Sequence, residues 1–429
     1  MVLTVIMGAS DLFFRTLETD ELMTLQWLSQ HVYKNARNVL SVSVVPGSVH
    51  HGKHSTVFKL QVSFREASAR VQGAIQQKTL FIKRYVKSEL PPRSAAHWTR
   101  DLFSYRTESH FYSAFYDQLK DHVMLIEPLA VLNGKDAHGE EAHDRFLVVL
   151  DSVTDQDTAY VHADCLQLGD AKQALSYLAA LHASALKKPG LVAQAGNELW
   201  PSGGWWSFAK RGGLNGLENI SKTWESVRTI FAAEMQNAGL AAIDDAEDAG
   251  GSLAERMIRQ AAYISAELFE NSPESLQTIV HGDFKSANLF FQAESRAVVA
   301  FDWQWCGVGI GALDVAYFLN TSVSSDALAS EDELLRWYYD QFTAMRLDEE
   351  LHQDEYTFEG FERHYRLATL EYARVLLSDF WKNMTPASCV TKFANTNYGL
   401  GYRSVSHVLR LITKLDEGLC FVEQERERA

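Results

Sequence analysis

The chain has 429 residues, of which 46% are hydrophobic and 22% charged, a normal balance for a globular protein. This length suits two or three lobes better than one core. The formal net charge of −15 argues against nucleic acid as a main partner, because phosphate backbones attract a surplus of Lys and Arg.

Cysteine usage and hydropathy indicate the compartment. Cys165, Cys306, Cys389 and Cys420 are scattered and form no CxxC pair, which is typical of a reducing compartment, and we expect a cytoplasmic protein. No apolar run approaches the length of a membrane span. The short apolar N-terminus has no basic leader, so we expect it to belong to the fold and not to a signal peptide.

The first 150 residues follow the pattern β-β-β-α-β-β, after a helix predicted over about 20–35. A turn-rich loop over 46–55 joins the first two strands. The helix predicted over 104–119 carries an apolar stripe that includes Tyr112 and Phe115. The alternation of apolar and polar residues predicts strands over 42–45, 56–64, 79–85, 123–132 and 145–150 and this helix over 104–119.

The remainder of the chain is predicted to be mainly helical. A loop rich in Trp and Gly covers 196–213, and an acidic linker covers 244–251. Two short strands, over 278–280 and 297–301, flank the most informative segment. Helices are predicted over 171–186, 216–237, 252–270 and, in several pieces, 326–421.

The segment after the first of these short strands is polar and rich in reactive side chains. It holds His281, Asp283, Lys285 and Asn288, and Asp302 follows at the end of the next apolar strand. Asp and Asn also favour ordinary turns, which is the alternative for any one of them alone. The order of Asp283, Asn288 and Asp302 along the chain nevertheless indicates phosphoryl transfer.

Phosphoryl transfer requires positioning and charge neutralisation more than covalent chemistry by the protein. Asp283 fits the base that accepts the proton of an attacking hydroxyl. Asn288 and Asp302 offer the oxygen ligands that Mg²⁺ prefers. His281 can form hydrogen bonds within the loop and hold its shape, and Lys285 can meet the γ-phosphate of ATP or remain solvated.

The arrangement resembles the H-x-D-x-x-x-x-N loop and metal-binding Asp of the protein-kinase-like superfamily. It is most similar to the small-molecule branch: aminoglycoside phosphotransferases, choline/ethanolamine kinases and, above all, the ecdysteroid-kinase-like family. The motifs that carry the resemblance are His281-Gly-Asp283, Phe301-Asp302-Trp-Gln304, Leu178-Ala-Ala-Leu-His182-Ala183 and the segment from Gly309 to Leu319 with Asp314.

The resemblance implies a lysine and a glutamate that pair in the N-terminal lobe. Lys83 lies in an apolar strand and Glu108 on the apolar stripe of the helix, and each buried charge needs a partner. In the family, this lysine reaches the α- and β-phosphates. A surface lysine with a buried stem and an ordinary helix acid are the alternatives.

Two further parts of a nucleotide site follow from the resemblance. The chain has no G-x-G-x-x-G, so the loop with Gly47 and Gly52 would cover the phosphates through its backbone amides. The hinge that binds adenine would correspond to residues 150–153, including Asp151. The histidines at 50, 51 and 54 have no acid or cysteine to complete a metal site, so a polar loop is expected there.

The tryptophans and two buried polar residues have open roles. Trp303 and Trp305 flank the metal-binding Asp302 and could line an acceptor pocket together with Trp200, Trp205 and Trp206; core packing is the alternative. Asp314 and His182 are expected to be structural.

We therefore expect an α+β, two-lobe protein-kinase-like fold, with an antiparallel sheet lobe over 1–153 and a mainly helical lobe over 154–429. The expected function is transfer of the γ-phosphate of ATP, with Mg²⁺, to a small-molecule alcohol such as a steroid, an amino alcohol or a sugar. A pseudokinase binding module remains an alternative. A protein kinase is a weaker one, because the chain has no activation segment or A-P-E after Asp302.

Overall fold

The chain folds into two units, which we describe separately. In the computed structural model, the sheet unit comprises residues 1–160 and 292–294, and the helical unit comprises 161–291 and 295–429. The predicted lobe boundary after Val153 borders residues outside the described ranges and stays a prediction. The structure describes residues 25–34, 36–51, 55–66, 74–86, 92, 94–135, 141–153, 159–188, 190–208, 210–211, 216–244, 250–346 and 356–428.

The sheet unit contains a six-stranded antiparallel sheet in the order β1-β3-β4-β6-β5, with β2 paired to β3. The short β2 is an addition to the predicted pattern, and the other strands match predicted ones with shifted ends. The strands are β1 (Arg37–Val44), β2 (His50–His51), β3 (Thr56–Glu66), β4 (Gln76–Val86), β5 (Pro128–Lys135) and β6 (Glu141–Asp151).

Alternation along β3 creates the core of this unit. Phe58, Leu60, Val62 and Phe64 are all buried, as the period-2 pattern predicts for one covered face of a sheet. They pack with Leu80 and Ile82 of β4, with Leu28 of the short π-helical turn Leu28–Val32, and with Trp27, which precedes that turn. That turn lies within the helix predicted over 20–35, whose first residues and Asn35 lie outside the described residues.

The helix of the sheet unit begins earlier than predicted. It runs as α1 (Ala95–His110), continues as a π-helical turn (Phe111–Phe115) and ends as α2 (Tyr116–Leu119). The predicted start at residue 104 was wrong, because the apolar stripe begins earlier: Trp98 and Leu102 pack against the core cluster of Tyr85, Tyr105 and Phe146. The start is set by Ser94, whose side chain accepts a hydrogen bond from the His97 backbone N–H.

The helical unit is built mostly from α-helices. The predicted helix over 216–237 is interrupted at Phe231, whose backbone leaves the helical region at φ −98° and ψ 18°. The helices are α3 (Leu168–Leu186), α4 (Leu191–Glu198), α5 (Leu217–Ile230), α6 (Ala232–Asn237), α7 (Leu253–Phe269), α8 (Ala312–Ser322), α9 (Ser325–Leu328), α10 (Glu331–Arg346), α11 (Phe358–Ser378), α12 (Pro386–Lys392), α13 (Leu400–Arg403) and α14 (Val405–Arg428).

Short strands between α7 and α8 carry the candidate site. β8 (Gln277–Val280) pairs with β11 (Gly307–Ile310), and β9 (Leu289–Gln292) pairs with β10 (Val298–Ala300), both antiparallel. The remaining strand, β7, covers Tyr160–Val161. Helix α8 is buried along its whole length, so the site lies against a rigid element of the core. The fold is therefore α+β, as predicted, with a small antiparallel sheet and a larger helical unit.

Two negative findings concern the described residues. No helix among them is both long and apolar enough to cross a membrane. All four cysteines are free thiols.

Candidate active site

A glycine shapes the loop that follows β8. Gly282 has φ +78°, and a Cβ atom at this position would lie 2.1 Å from the backbone oxygen of Trp305 and 2.5 Å from the backbone nitrogen of Gly204. Both the positive φ and the close backbone approach exclude a side chain. Only glycine therefore fits in the middle of the His-Gly-Asp motif. Its backbone conformation sets the direction in which the chain continues from the strand to Asp283.

Asp314 on α8 anchors this loop through its backbone. Its Oδ2 accepts from the N–H of His281 at 2.6 Å, and its Oδ1 accepts from the N–H of Gly282 at 2.9 Å. His182 Nε2 lies 3.2 Å from Oδ2, and the other ring nitrogen lies 2.8 Å from the hydroxyl of Tyr338. The structure thus gives Asp314 and His182 structural positions, since their polar atoms bond the loop and each other.

The carboxylate of Asp283 is buried and surrounded by donors. Lys285 Nζ lies 3.2 Å from Oδ1 and 2.9 Å from Oδ2. The side-chain nitrogen of Asn288 donates to Oδ2 at 3.0 Å and to the Asp283 backbone oxygen at 2.8 Å. The hydroxyl of Tyr317 donates to Oδ1 at 2.7 Å. These contacts fill the roughly four in-plane lone-pair positions of a carboxylate.

His281 is uncharged and links parts of the same loop through hydrogen bonds. Its Nδ1 accepts from the backbone N–H of Asp283 at 3.3 Å, and its Nε2 lies 3.1 Å from the backbone oxygen of Phe301, to which it donates. Complete burial lowers the pKa of His281, and this effect outweighs the opposing charges of Asp314, Asp283 and Asp302. The ring therefore joins the loop to the end of β10, as a shape-holding role requires.

Strand pairing brings Asn288 beside the segment that ends in Asp302. In the register of β9 and β10, Leu289 lies opposite Ala300, and the N–H of Phe301 donates to the backbone oxygen of Asn288 at 3.1 Å. Asp302 itself has φ +67°, a left-handed conformation that is uncommon outside glycine and concentrates at functional sites. The structure thus brings the two predicted metal ligands to adjacent strand ends.

In the sheet unit, the predicted lysine and glutamate form an ion pair. Lys83 Nζ on β4 lies 2.7 Å from Glu108 Oε2 on α1. The exposed fraction is 17% for the lysine side chain and 5% for the glutamate side chain. A charge buried to this degree needs its partner, so the pair links the helix to the central strand of the sheet.

The structure gives less information on the other residues predicted to contact the nucleotide. Asp151 ends β6 and forms an ion pair with Lys78 at 2.5 Å, and it also accepts from the N–H of Ser152. Its side chain is therefore engaged within the sheet. Gly47 has φ +74° in the turn before β2, whereas Gly52 and His54 lie outside the described residues.

The tryptophans differ in burial: Trp200, Trp206 and Trp303 are buried, and Trp205 and Trp305 are half-buried. Trp303 is fully buried and its ring lies 4.4 Å from the ring of His281, so it packs in the core and was wrongly considered for the wall of a pocket. Trp305 stacks on Trp200 with ring centroids 5.4 Å apart. The Nζ of Lys210 lies over the Trp200 ring, 4.3 Å from its centroid. These contacts restrict the motion of the tryptophan-rich segment next to the loop from His281 to Asn288.

Tyr317 is the site residue that sequence reasoning missed. It lies three residues after Asp314 on α8, the spacing that places two side chains on one helix face. Its burial raises the pKa of Tyr317 well above the usual value, and the charge of Asp283 adds to this, so the hydroxyl stays protonated and remains a donor. The helical spacing from Asp314 could have identified it.

The loop from His281 to Asn288 and the Lys83–Glu108 pair have the arrangement that the resemblance implies, and a family comparison identifies the chain. The model of the ecdysteroid kinase-like family matches residues 52–349, which is well over half of the chain. The chain belongs to this family, and the resemblance predicted from the motifs is confirmed.

Solved structures of kinases align over most of the chain at low identity. The microcompartment-associated aminopropanol kinase is 15% identical, covers 92% of this chain and 98% of its own, and has a TM-score of 0.44. The Plasmodium vivax ethanolamine kinase is 12% identical, with coverage of 91% and 89% and a TM-score of 0.42. The choline kinase LicA from Streptococcus pneumoniae is 12% identical, with coverage of 91% and 98% and a TM-score of 0.38. No curated protein sequence matches the chain.

Proposed function

We propose that the chain is an ATP-dependent kinase that transfers the γ-phosphoryl group to a hydroxyl of a small-molecule alcohol, with Asp283 as the base. The observation that carries this proposal is the arrangement of donors around the buried Asp283 carboxylate. Catalysis of this reaction rests on positioning and electrostatics, and a carboxylate held in one orientation meets both needs.

Lys285 is the donor that can leave this arrangement. Its side chain is 17% exposed, whereas Asn288 and Tyr317 are only 5% and 3% exposed. The γ-phosphate of ATP carries more negative charge than one carboxylate, so it competes for the ammonium group. When Lys285 turns to the phosphate, it vacates a lone pair of Asp283, and the acceptor hydroxyl donates its proton there. Lys285 thus couples the nucleotide to the base.

The donor set beside Asp283 fits Mg²⁺. Both side-chain hydrogen bonds of Asn288 use its nitrogen, which leaves the amide oxygen to face a cation. Asp302 adds a carboxylate, and Mg²⁺ favours such hard oxygen ligands together with phosphate oxygens. We propose that Asn288 and Asp302 hold the ion. When bound, Mg²⁺ would neutralise charge on the phosphates.

The sheet unit supplies the remaining nucleotide contacts in this proposal. Lys83, oriented by Glu108, contacts the α- and β-phosphates, and the turn with Gly47 offers backbone amides to them. The backbone around Asp151 binds adenine. The ion pair of Lys83 and Glu108, at 2.7 Å, supports this assignment because it points the ammonium group along one direction.

Asp283→Asn tests the proposed base. We expect ATP turnover, followed as ADP release over a library of alcohols, to fall at least about 1,000-fold, because the amide cannot accept the proton. The exposed Asp340→Asn is the control for the charge change and should retain wild-type turnover. Near-normal turnover by Asp283→Asn would refute the assigned base. Tight Mg-ATP binding with no turnover of any alcohol by the wild type would instead indicate a binding module.

A further inference from the structure

We propose that Tyr317 is a positioning residue for the phosphoryl transfer, because its buried hydroxyl fixes the orientation of the Asp283 carboxylate. The inference rests on the proposed function, since it assigns Tyr317 a task only if Asp283 is the base. It nevertheless makes a structural claim that holds independently of turnover.

The position of Tyr317 on α8 makes it a rigid partner. Asp314, one helical turn earlier, holds the backbone of the catalytic loop, and Tyr317 holds the side chain of Asp283 at 2.7 Å. One helix therefore fixes both the backbone and the carboxylate of the loop. The residue is only 3% exposed, so its hydroxyl has little access to competing solvent.

The ring of Tyr317 is enclosed by aromatic neighbours. Trp206 stacks parallel to it with centroids 6.1 Å apart, and Tyr372 meets it edge-on at 5.3 Å. Trp205 also meets it edge-on at 6.2 Å. Packing on several sides leaves the ring one orientation, so the position of its hydroxyl is set before any substrate binds.

The hydrogen-bond direction at the Tyr317 hydroxyl is also determined. The indole Nε1 of Trp205 lies 3.1 Å from the hydroxyl oxygen, and an indole N–H can only donate. The tyrosine oxygen accepts this bond, and its single hydrogen is directed to Asp283 Oδ1. The chain Trp205–Tyr317–Asp283 therefore has one arrangement of protons.

This arrangement becomes important when Lys285 leaves. Tyr317 then remains on Oδ1 and Asn288 on Oδ2, one fixed donor for each oxygen. Two such contacts prevent the carboxylate from rotating about its Cβ–Cγ bond at the moment when it must accept a proton. Without Tyr317, Oδ1 would have no rigid partner among these donors, and the base would spend less time in the productive orientation.

Tyr317→Phe tests the proposal, because it keeps the ring and removes the hydroxyl. We expect kcat to fall about 10- to 100-fold while the KM for ATP changes less than about twofold, since orientation and not nucleotide binding is lost. Tyr372→Phe removes a hydroxyl from the neighbouring ring and should keep kcat within about twofold. Trp205→Phe should lower kcat by a smaller factor and add little in the Tyr317→Phe background.

Crystal structures of the wild type and Tyr317→Phe give a readout that needs no turnover. The Asp283 carboxylate should rotate or become disordered in the variant and stay fixed in Tyr372→Phe. An unchanged carboxylate, or wild-type kcat in Tyr317→Phe, would overturn the proposal. If the wild type turns over no alcohol, the proposed function fails, but the carboxylate orientation still decides whether Tyr317 positions Asp283. If Tyr317→Phe does not fold, Trp205→Phe with its structure decides.

Discussion

The two units hold their candidate functional side chains in different ways. In the helical unit, the backbone of the loop from His281 to Asn288 is bonded by the buried Asp314, and its side chains bond one another. In the sheet unit, Lys83 and Glu108 meet through long side chains that extend from separate elements. We therefore expect substitutions in the loop to lower stability and turnover together, and substitutions at Lys83 to lower nucleotide affinity more than stability.

Outside the proposed base itself, the largest effect should come from Asp314→Asn. The substitution turns one acceptor oxygen into a donor that faces a backbone N–H of the loop, in a site that is only 1% exposed. A buried unsatisfied donor and the loss of charge-assisted bonds should lower the free energy of unfolding by about 3 kcal/mol. Displacement of Asp283 should also lower kcat about 100-fold or more. Chemical denaturation and ADP release measure the two effects.

The exposed Asp326→Asn, at the start of the short helix α9, is the matched control for this charge change. It should leave both the free energy of unfolding and kcat within error of the wild type. If Asp314→Asn lost activity but kept wild-type stability, the anchoring role of Asp314 would be wrong, and a direct role in the chemistry would have to replace it.

The sequence predicts that the side chains of the loop converge, because they are close together along the chain; their catalytic role stays a prediction. His281, Asp283, Lys285 and Asn288 occupy one short segment between two strands, so their convergence follows from local geometry. The spacing from Asp314 could have marked Tyr317 as a neighbour of the loop. Its bonds to Asp283 and Trp205 do not follow from that spacing, because they depend on how α8 packs against the loop. The start of α1 was mispredicted although the sequence carries a signal for it, since Trp98 and Leu102 extend the apolar stripe toward Ser94.

Lys83→Met should produce the second largest effect, and a more selective one. Removal of the ammonium group should raise the Kd for ATP about 10- to 100-fold, because charge-assisted contacts to phosphate are lost. Isothermal titration with a non-hydrolysable ATP analogue measures this change. Lys59→Met is the control, since Lys59 is a half-buried lysine of β3 that lies opposite Phe81 in the same sheet.

A double variant separates the two roles of the Lys83–Glu108 pair. Lys83→Met leaves Glu108 buried without this partner, which should lower the melting temperature. Glu108→Gln in the same chain should restore part of that stability but none of the ATP affinity. Recovery of ATP affinity in the double variant would contradict a phosphate contact by Lys83 and reduce the pair to a structural link.

The third and smallest effect is on the pH dependence of stability, and it involves a histidine of the helical unit. His407, near the start of α14, has Nε2 2.8 Å from the backbone oxygen of Val323 and Nδ1 2.9 Å from the hydroxyl of Ser404. Burial lowers the pKa of His407 to about 4, and the charges of Arg410 and Arg403 act in the same direction. The folded ring is therefore neutral at pH 7, where it donates to Val323.

The sign of the pH dependence follows from this lowered pKa. An unfolded histidine titrates near 6.5, so between about pH 6.5 and 4 the unfolded chain binds more protons than the folded chain. The stabilisation is thus complete above this window and is lost as the pH falls through it. From pH 7 to pH 5, wild type should lose about 1 to 2 kcal/mol more than His407→Gln, whose side chain can still donate to Val323 but does not titrate.

Urea unfolding at several pH values measures this difference. His97→Gln, at an exposed position of α1 in the sheet unit, is the matched control and should follow the wild-type slope. A His407→Gln slope equal to that of the wild type would mean that His407 gains no protons on unfolding in this range. His364, whose pKa burial also lowers to about 4, would then be the next histidine to test in the same way. Because the same unit carries Asp283, unfolding and turnover should be measured on the same samples.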